Sequence, residues 1–217
     1  MSLDPYSDSR LSMVATQLRR RGIRDERVLA TMEHVPRQLF VPEHLRRLAY
    51  DDEALPVGNA QTISQPYIVA FMLEQLEVAS EHRVLEIGTG TGYQAALLAE
   101  LAAKVYTIER VPELAEIARH NLRDLGYSNV EVVLGDGTTG HPDHAPFDRI
   151  IVAAAAPQMP PALFNQLAEG GRMILPIGST EVQRLMLVRK QNGAPTATQL
   201  EDVRFVPLVG SQGFDLH

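Results

Sequence analysis

Val84-Leu85-Glu86-Ile87-Gly88-Thr89-Gly90-Thr91-Gly92 constrains this chain more than any other segment. The short apolar run reads as a buried strand, and the alternating glycines after it impose a tight turn. Tyr93 to Leu101 then has helical texture. A strand that breaks at glycines and passes into a helix presents backbone amides at a helix N-terminus, where a ligand can lie against them.

The alternation continues downstream. Lys104 to Ile108 reads as a strand, Pro112 opens a helix to about Leu125, and Gly126 is its C-terminal stop. Val130 to Leu134 is a strand ending in the Gly135-Asp136-Gly137 turn; Arg149 to Ala153 is a strand, Pro161 to Leu167 a helix and Arg172 to Leu175 a strand. Strands alternating with helices specify an α/β, doubly wound, mostly parallel sheet of Rossmann-like type. Gln183 to Arg189 and Val203 to Leu208, set around the Gln191-Asn192-Gly193-Ala194-Pro195 turn, are expected to close it as an antiparallel C-terminal edge.

Ahead of this region the periodicity is helical. Leu11, Val14, Ala15 and Leu18 share a stripe within Ser9 to Arg21; Asp25 reads as the N-cap of a helix carrying Val28, Leu29 and Met32, which Pro36 stops. A short helix is expected after Pro42, through Leu45 and Leu48. Tyr50 to Gln65 loses all periodicity and is expected to be an irregular loop. Pro66 suits the first turn of a helix with Ile68, Val69, Met72, Leu73 and Leu76 on its apolar stripe. The expected organisation is a helical N-terminal extension and loop, 1–60, packed on a main domain, 61–217.

Composition narrows the function. The 217 residues carry 20 Lys and Arg against 27 Asp and Glu, a net charge of −7, with no Cys and no Trp. Without Cys there is no thiolate zinc site, no iron–sulfur cluster and no cysteine nucleophile. The negative balance disfavours nucleic acid as partner. The N-terminal Met1-Ser2-Leu3-Asp4-Pro5-Tyr6 has neither a basic region nor an apolar run, and the longest apolar run, near Ile150 to Pro157, is far short of the ~20 residues of a membrane span. A cytoplasmic protein with no membrane association, working as a monomer, is expected.

The glycine turn favours one kind of cofactor. A dinucleotide fingerprint needs a small third residue where Tyr93 stands. Glu86, inside the strand before the turn, suits a ligand with a cationic amino-acid end better than a pyrophosphate. Glu109, at the end of the next strand, is placed to grip ribose hydroxyls. Asp136 adds a carboxylate able to accept from an adenine amino group. Together with Gly88, Thr89, Gly90, Gly92 and Gly137, these residues point to S-adenosyl-L-methionine, with S-adenosyl-L-homocysteine as product. His141-Pro142-Asp143-His144 has i, i+3 spacing, but Pro142 prevents a regular helix and no third ligand is evident in sequence, so no metal is expected.

Here the chain resembles the S-adenosylmethionine-dependent methyltransferases. Gln61-Thr62-Ile63-Ser64-Gln65-Pro66-Tyr67, Gly135-Asp136-Gly137, Ala153-Ala154-Ala155-Ala156-Pro157, Gly170 to Gly178 and Phe205-Val206-Pro207-Leu208 are similar, in order, to blocks of the protein-L-isoaspartate O-methyltransferase family. Gln61 to Pro66 is the specific block; the glycine turn is shared by many methyltransferases. Two positions depart from the family pattern: Gly58-Asn59-Ala60 stands where relatives often read Gly-Tyr-Gly, and Thr138 follows Gly137.

The resemblance implies a seven-stranded methyltransferase sheet and a repair enzyme. It would methylate the free α-carboxylate of isoaspartyl residues in damaged proteins and peptides, giving an ester that re-forms the succinimide. By the same resemblance Ser64 is the active-site serine, Thr62, Ile63 and Gln65 line the cleft, and Val206 and Leu208 contact the substrate backbone. The chemistry is undemanding: an α-carboxylate is already ionised at neutral pH, so no general base is required. Cytosine C5 methylation needs a cysteine. Adenine amino methylation usually uses an Asp/Asn-Pro-Pro-Tyr turn where this chain has Ala153 to Pro157.

Overall fold

In the computed structural model, which describes residues 4–215, the glycine turn sits at the centre of a seven-stranded sheet. The main domain runs α3 (Pro66–Leu76), β3 (Arg83–Ile87), α4 (Tyr93–Leu101), β4 (Lys104–Glu109), α5 (Pro112–Asp124), β5 (Val130–Leu134), β6 (Phe147–Val152), α6 (Pro161–Gln166), β7 (Leu167–Gly178), β8 (Gln183–Gln191) and β9 (Ala194–Val203). Ahead of it lie α1 (Ser7–Met13), α2 (Glu26–His34) and a two-stranded hairpin, β1 (Leu55–Gly58) with β2 (Gln61–Ile63).

The strand order is β5-β4-β3-β6-β7-β8-β9. The first five strands pair in parallel, and β8 and β9 add antiparallel. The chain winds outward from β3 in one direction through β4 and β5, then restarts at β6 and winds the other way. Such a reversal opens a crevice beyond the carboxyl ends of the two central strands.

Burial follows from this topology. Parallel strands covered on both faces read as continuous apolar runs, and Val84, Leu85 and Ile87 of β3 are all buried. Alternate residues feed two cores. Val84, Val105, Ile151 and Ile174 meet α3, α4, α5 and the N-terminal helices on one face; Leu85, Ile108, Ile150 and Met173 meet α6 on the other. α4 is buried almost throughout because α2 covers the side that the sheet does not. Met13, Val14, Leu18, Leu29, Met32 and Phe40 belong to the same core as the sheet.

The N-cap role read for Asp25 is realised: its carboxylate accepts the Arg27 amide at 2.9 Å. The helix read over Ser9 to Arg21 is instead α1, a wider π turn over Val14–Leu18 and a 3₁₀ turn over Arg19–Arg21, ended by Gly22 at φ 104°. The wide turn rotates the stripe, so Val14 and Leu18 are buried while Leu11 and Ala15 face solvent.

Two further expectations are overturned. Tyr50 to Gln65 is not wholly irregular, since β1 and β2 pair antiparallel across Gly58-Asn59-Ala60, all three at positive φ. The strand expected at Val203 to Leu208 lies earlier. β9 begins just after the Asn192-Gly193 turn and ends at Val203, and Val206 to Leu208 leaves the sheet to bridge Ala155. The first and last residues of the expected domains, 1–3 and 216–217, lie outside the described residues.

Candidate active site

A cavity of about 410 Å³ occupies the crevice where the strand order reverses. One wall is the glycine loop with the ends of β3 and β4. Facing it are Asn59 to Ser64, Ala153-Ala154 and Val206 to Val209.

The glycine loop has the conformation its sequence requires. Gly88, Gly90 and Gly92 have φ of 91°, 56° and 97°, a region that costs an L-residue roughly 1 kcal/mol or more. Gly88 and Gly90 line the cavity. Gly92 does not: a Cβ there would lie 3.3–3.4 Å from Leu122 and Ala118, so its bareness lets α4 pack on α5. A Cβ on Gly137 would collide with the Ile87 side chain in the cavity wall.

Glu109 ends β4 in the cavity wall. Its Oε2 accepts the Gly90 amide at 2.8 Å, and Oε1 accepts the Arg110 and Val111 amides, each at 2.9 Å. Three of its roughly four acceptor positions are thus filled by backbone that also shapes the loop. Hydroxyls arriving at this carboxylate would take the remaining position or displace the Gly90 bond.

Glu86 is fully buried behind the wall and outside the lining residues. It accepts from the Thr107 hydroxyl at 2.5 Å and the Gln94 amide at 3.0 Å. Burial pushes its carboxyl up to about 8, overriding those two bonds. Thr107 lies 2.6 Å from the Thr89 hydroxyl. Either hydroxyl can donate in that bond, and the Thr89 oxygen keeps a lone pair that can accept from the cavity. Glu86 therefore reaches the cleft only through Thr89 and Gln94, both of which line it.

Asp136 is likewise outside the lining, while Gly137 is in it. Its Oδ1 accepts the Thr138 amide at 2.9 Å and hydroxyl at 2.6 Å, and Oδ2 accepts the Ser211 amide at 2.8 Å. Burial acts to raise this carboxyl, but the Ser211 and Thr138 donors outweigh it and hold it below its ordinary value. Asp136 and Thr138 fasten the C-terminal segment to the rim, and the Gln212 amide also bonds the Thr138 hydroxyl.

The opposing wall comes from three distant segments. Ala155 N–H donates to Val206 C=O at 2.8 Å, and Leu208 N–H donates to Ala155 C=O at 2.7 Å. This parallel bridge carries Val206 and Leu208 to the cleft beside the small residues after β6. Thr62, Ile63 and Ser64 reach it at the end of the hairpin. Ser64 also lines a second cavity of about 530 Å³ that shares Thr62, Ala153 and Val206 with the first, so the two volumes meet at the serine. Gln65 lines only the second, with its side-chain amide donating to Asp52 C=O.

Sequence reading did not single out Gln94, Ile108 or Arg110, which line the cavity. It also missed Arg37, whose guanidinium is buried and donates to the Ser64 carbonyl at 2.8 Å. The one sequence signal for Arg37 is its place among apolar residues, Val35-Pro36-Arg37-Gln38-Leu39-Phe40-Val41. For His141 and His144 the structure supplies the third ligand that sequence lacked: Glu131 places a donor atom within 4.8 Å of theirs. That group lies toward the opposite ends of the strands from the cleft. Lys104 stands 3.6 Å from Glu131, and Arg83 bonds the His144 carbonyl, so two cations compete for the position.

The cradle fits S-adenosyl-L-methionine or its product. Bare glycines open the floor, a carboxylate ends the neighbouring strand, and the Thr89 oxygen can accept from an amino group. The family model for protein-L-isoaspartate(D-aspartate) O-methyltransferase matches residues 9–213. A protein-L-isoaspartate O-methyltransferase of Koribacter versatilis is 58% identical over 98% of this chain and 96% of its own length. One from Methanoculleus marisnigri is 55% identical over 99% and 97%. Among solved structures, a beta-aspartate methyltransferase from Plasmodium falciparum in complex with S-adenosyl-L-homocysteine aligns with a TM-score of 0.82 at 28% identity, covering 92% of this chain and 98% of that one.

Proposed function

The chain belongs to the protein-L-isoaspartate(D-aspartate) O-methyltransferase family, and from that premise we propose how its own residues divide the work. The reaction moves a methyl group from S-adenosyl-L-methionine to the free α-carboxylate of L-isoaspartyl residues in damaged proteins. When bound, the sulfonium supplies an activated methyl group, and in-line displacement neutralises two opposite charges. Leaving water favours such a step, and holding both partners in line supplies much of the remaining acceleration.

The division of labour follows from the two walls. Gly88 and Gly90 admit the cofactor's backbone-facing side, Glu109 receives the ribose hydroxyls, and Thr89 accepts from the amino end. Glu86 acts through Thr89 and Gln94, by fixing their protons. Asp136 positions Gly137 and the C-terminal rim. Ser64 orients an acceptor oxygen and needs no base, in keeping with a carboxylate that is already ionised. Thr62, Ile63 and Gln65 flank it. Val206 and Leu208 offer main-chain groups to the peptide in strand-addition fashion, which reads no side chains and so tolerates varied damaged sequences. The described part of the helical extension, 4–60, packs on the main domain and lends Asn59 and Ala60 to the cleft. The enzyme works as a cytoplasmic monomer on peptide, without nucleic acid or membrane; among the described residues no helix is long and apolar enough to cross a bilayer.

One observation carries this reading: Ser64 lies where a cofactor-sized cavity meets a second, peptide-sized one. Purified protein is offered an isoaspartyl peptide beside its normal aspartyl twin, with labelled methyl donor. Base-labile label on the isoaspartyl peptide alone is the expected result. Equal labelling of both, or none at saturating donor, refutes it.

A further inference from the structure

Arg37 is fully buried, yet among the described residues no carboxylate in contact with it answers its charge. Nε donates to the Ala49 carbonyl at 2.7 Å and Nη2 to the Ser64 carbonyl at 2.8 Å. Its guanidinium carbon sits 4.8 Å from the centre of the Tyr93 ring. Nη1 has no hydrogen-bond partner among the described residues. The carboxylate that acts on it electrostatically, Asp52, is already paired with Arg21. Burial pushes the group below its ordinary range, and only Tyr93, Tyr50 and Asp52 work against that. A guanidinium stays protonated nonetheless, so the interior holds a cation whose neutral contacts leave it short of a counter-charge.

Its place in the fold is equally particular. The Arg37–Phe40 turn touches both walls of the cleft: Phe40 C=O accepts the Thr91 hydroxyl at 2.7 Å and Phe40 packs edge-on against Tyr93 at 5.5 Å on one side, while Arg37 holds the Ser64 carbonyl on the other. Arg37 itself is outside the cavity lining and bonds the carbonyl of Ser64, which lines it. In the proposed function the acceptor brings an anion to Ser64.

We propose that Arg37 is a positioning residue for the acceptor: from behind Ser64 it supplies the positive field that holds the free α-carboxylate in the cleft. This rests on the reading of Ser64 as the acceptor site. The attraction is electrostatic across a low-dielectric layer, so surrounding salt screens it weakly. It also belongs to the ground state, because the carboxylate loses its charge as the methyl group arrives. Its removal therefore falls on KM.

The test compares two ligands on enzyme loaded with S-adenosyl-L-homocysteine, whose neutral sulfur contributes no charge. One is an isoaspartyl hexapeptide; the other is its isoasparaginyl twin, in which a carboxamide replaces the α-carboxylate. The native protein is expected to bind the carboxylate about tenfold tighter or more, with little change on raising salt. Arg37→Gln should bring that ratio close to one and raise KM about tenfold while leaving the product-cofactor affinity unchanged. Arg37→Lys should retain most of the ratio. A lost fork would weaken both peptides alike, so a merely structural role would not move the ratio.

Equal binding of the two peptides by the native protein overturns the proposal without any variant, which covers the case that Arg37→Gln does not fold. An undiminished ratio in a folded Arg37→Gln, judged by its affinity for S-adenosyl-L-homocysteine, overturns it too. Failure of the native protein to bind the isoaspartyl peptide at all overturns the acceptor-site reading and this inference with it.

Discussion

The two walls of the cleft are built in opposite ways. The wall we assign to the cofactor comes from near neighbours in sequence: β3, the glycine loop and α4, with Glu109 ending the adjacent strand and accepting from the Gly90 amide. The wall we assign to the acceptor is gathered from residues 59–65, the alanines after β6 and the 206–209 segment; two backbone bonds at Ala155 join the last two, and the Arg37 guanidinium holds the Ser64 carbonyl. The first wall owes its shape to local backbone conformation and the second to tertiary contact. Damage to one should therefore look unlike damage to the other.

The largest contrast is expected at the cofactor wall. Gly88→Ala places a Cβ at φ 91° on the cavity floor, with Ala153 at 3.5 Å. Backbone strain of ~1–2 kcal/mol adds to intrusion into the space the ligand needs, and affinity for S-adenosyl-L-homocysteine should fall about 100-fold by calorimetry. Gly126→Ala carries similar strain at φ 84° with open space around it. It should lose roughly 1 kcal/mol of stability and no ligand affinity. Equal affinities in the two variants would show that the glycine loop serves folding alone.

Glu86 gives the next effect, and it is visible in stability. Its folded carboxyl is raised to about 8 from an ordinary value of 4.5. The folded state thus binds more protons than the unfolded one between those values, and stability falls as pH rises through that window. Glu86→Gln removes this slope. The variant should match the native protein near about pH 4 and exceed it by a few kcal/mol near about pH 8, from urea titrations at each pH. Parallel curves would mean that Glu86 titrates as it does in water.

Ser64→Ala sharpens the comparison from the acceptor side. Turnover on an isoaspartyl peptide should drop about 10- to 100-fold, or ~1.4–2.7 kcal/mol, with cofactor affinity unchanged. A variant that keeps full turnover would remove the serine from the mechanism and leave the peptide groove intact.

The same division explains what the sequence discloses. Val84 to Gly92 is legible because a buried parallel strand, a glycine turn and a helix are each local patterns. The β1–β2 hairpin is not, because its turn puts Ala60 at positive φ, for which alanine carries no signal. β9 is hidden for another reason: its first six residues are exposed and carry no large apolar side chain, and pairing with β8 alone makes them a strand. Val206 to Leu208 has strand-like residues, yet it leaves the sheet to meet Ala155, a partner some fifty positions away that no periodicity can indicate. Glu86 and Asp136 stand beside their turns as read. Sequence could not say that both spend their oxygens on neighbouring threonines and, for Asp136, on Ser211.

The smallest expected effect tests whether the acceptor wall reads charge beyond the carboxylate itself. The second cavity is lined by Asp52, Glu53, Glu181 and Asp202 against Arg204, and Asp52 is committed to Arg21. Three further carboxylates to one cation should favour peptides whose flanking residues are basic. Each such contact is exposed, so it is worth only ~0.2–1 kcal/mol. A lysine-flanked isoaspartyl peptide should have KM about threefold lower than its glutamate-flanked twin at low salt, and the gap should close near 0.5 M salt, where screening is about 4 Å. The Arg37-dependent preference for carboxylate over carboxamide should survive that same salt, because it acts through protein and not through solvent. If both preferences vanish together, the attraction at Ser64 is a surface effect and the two parts of the acceptor wall are electrostatically one.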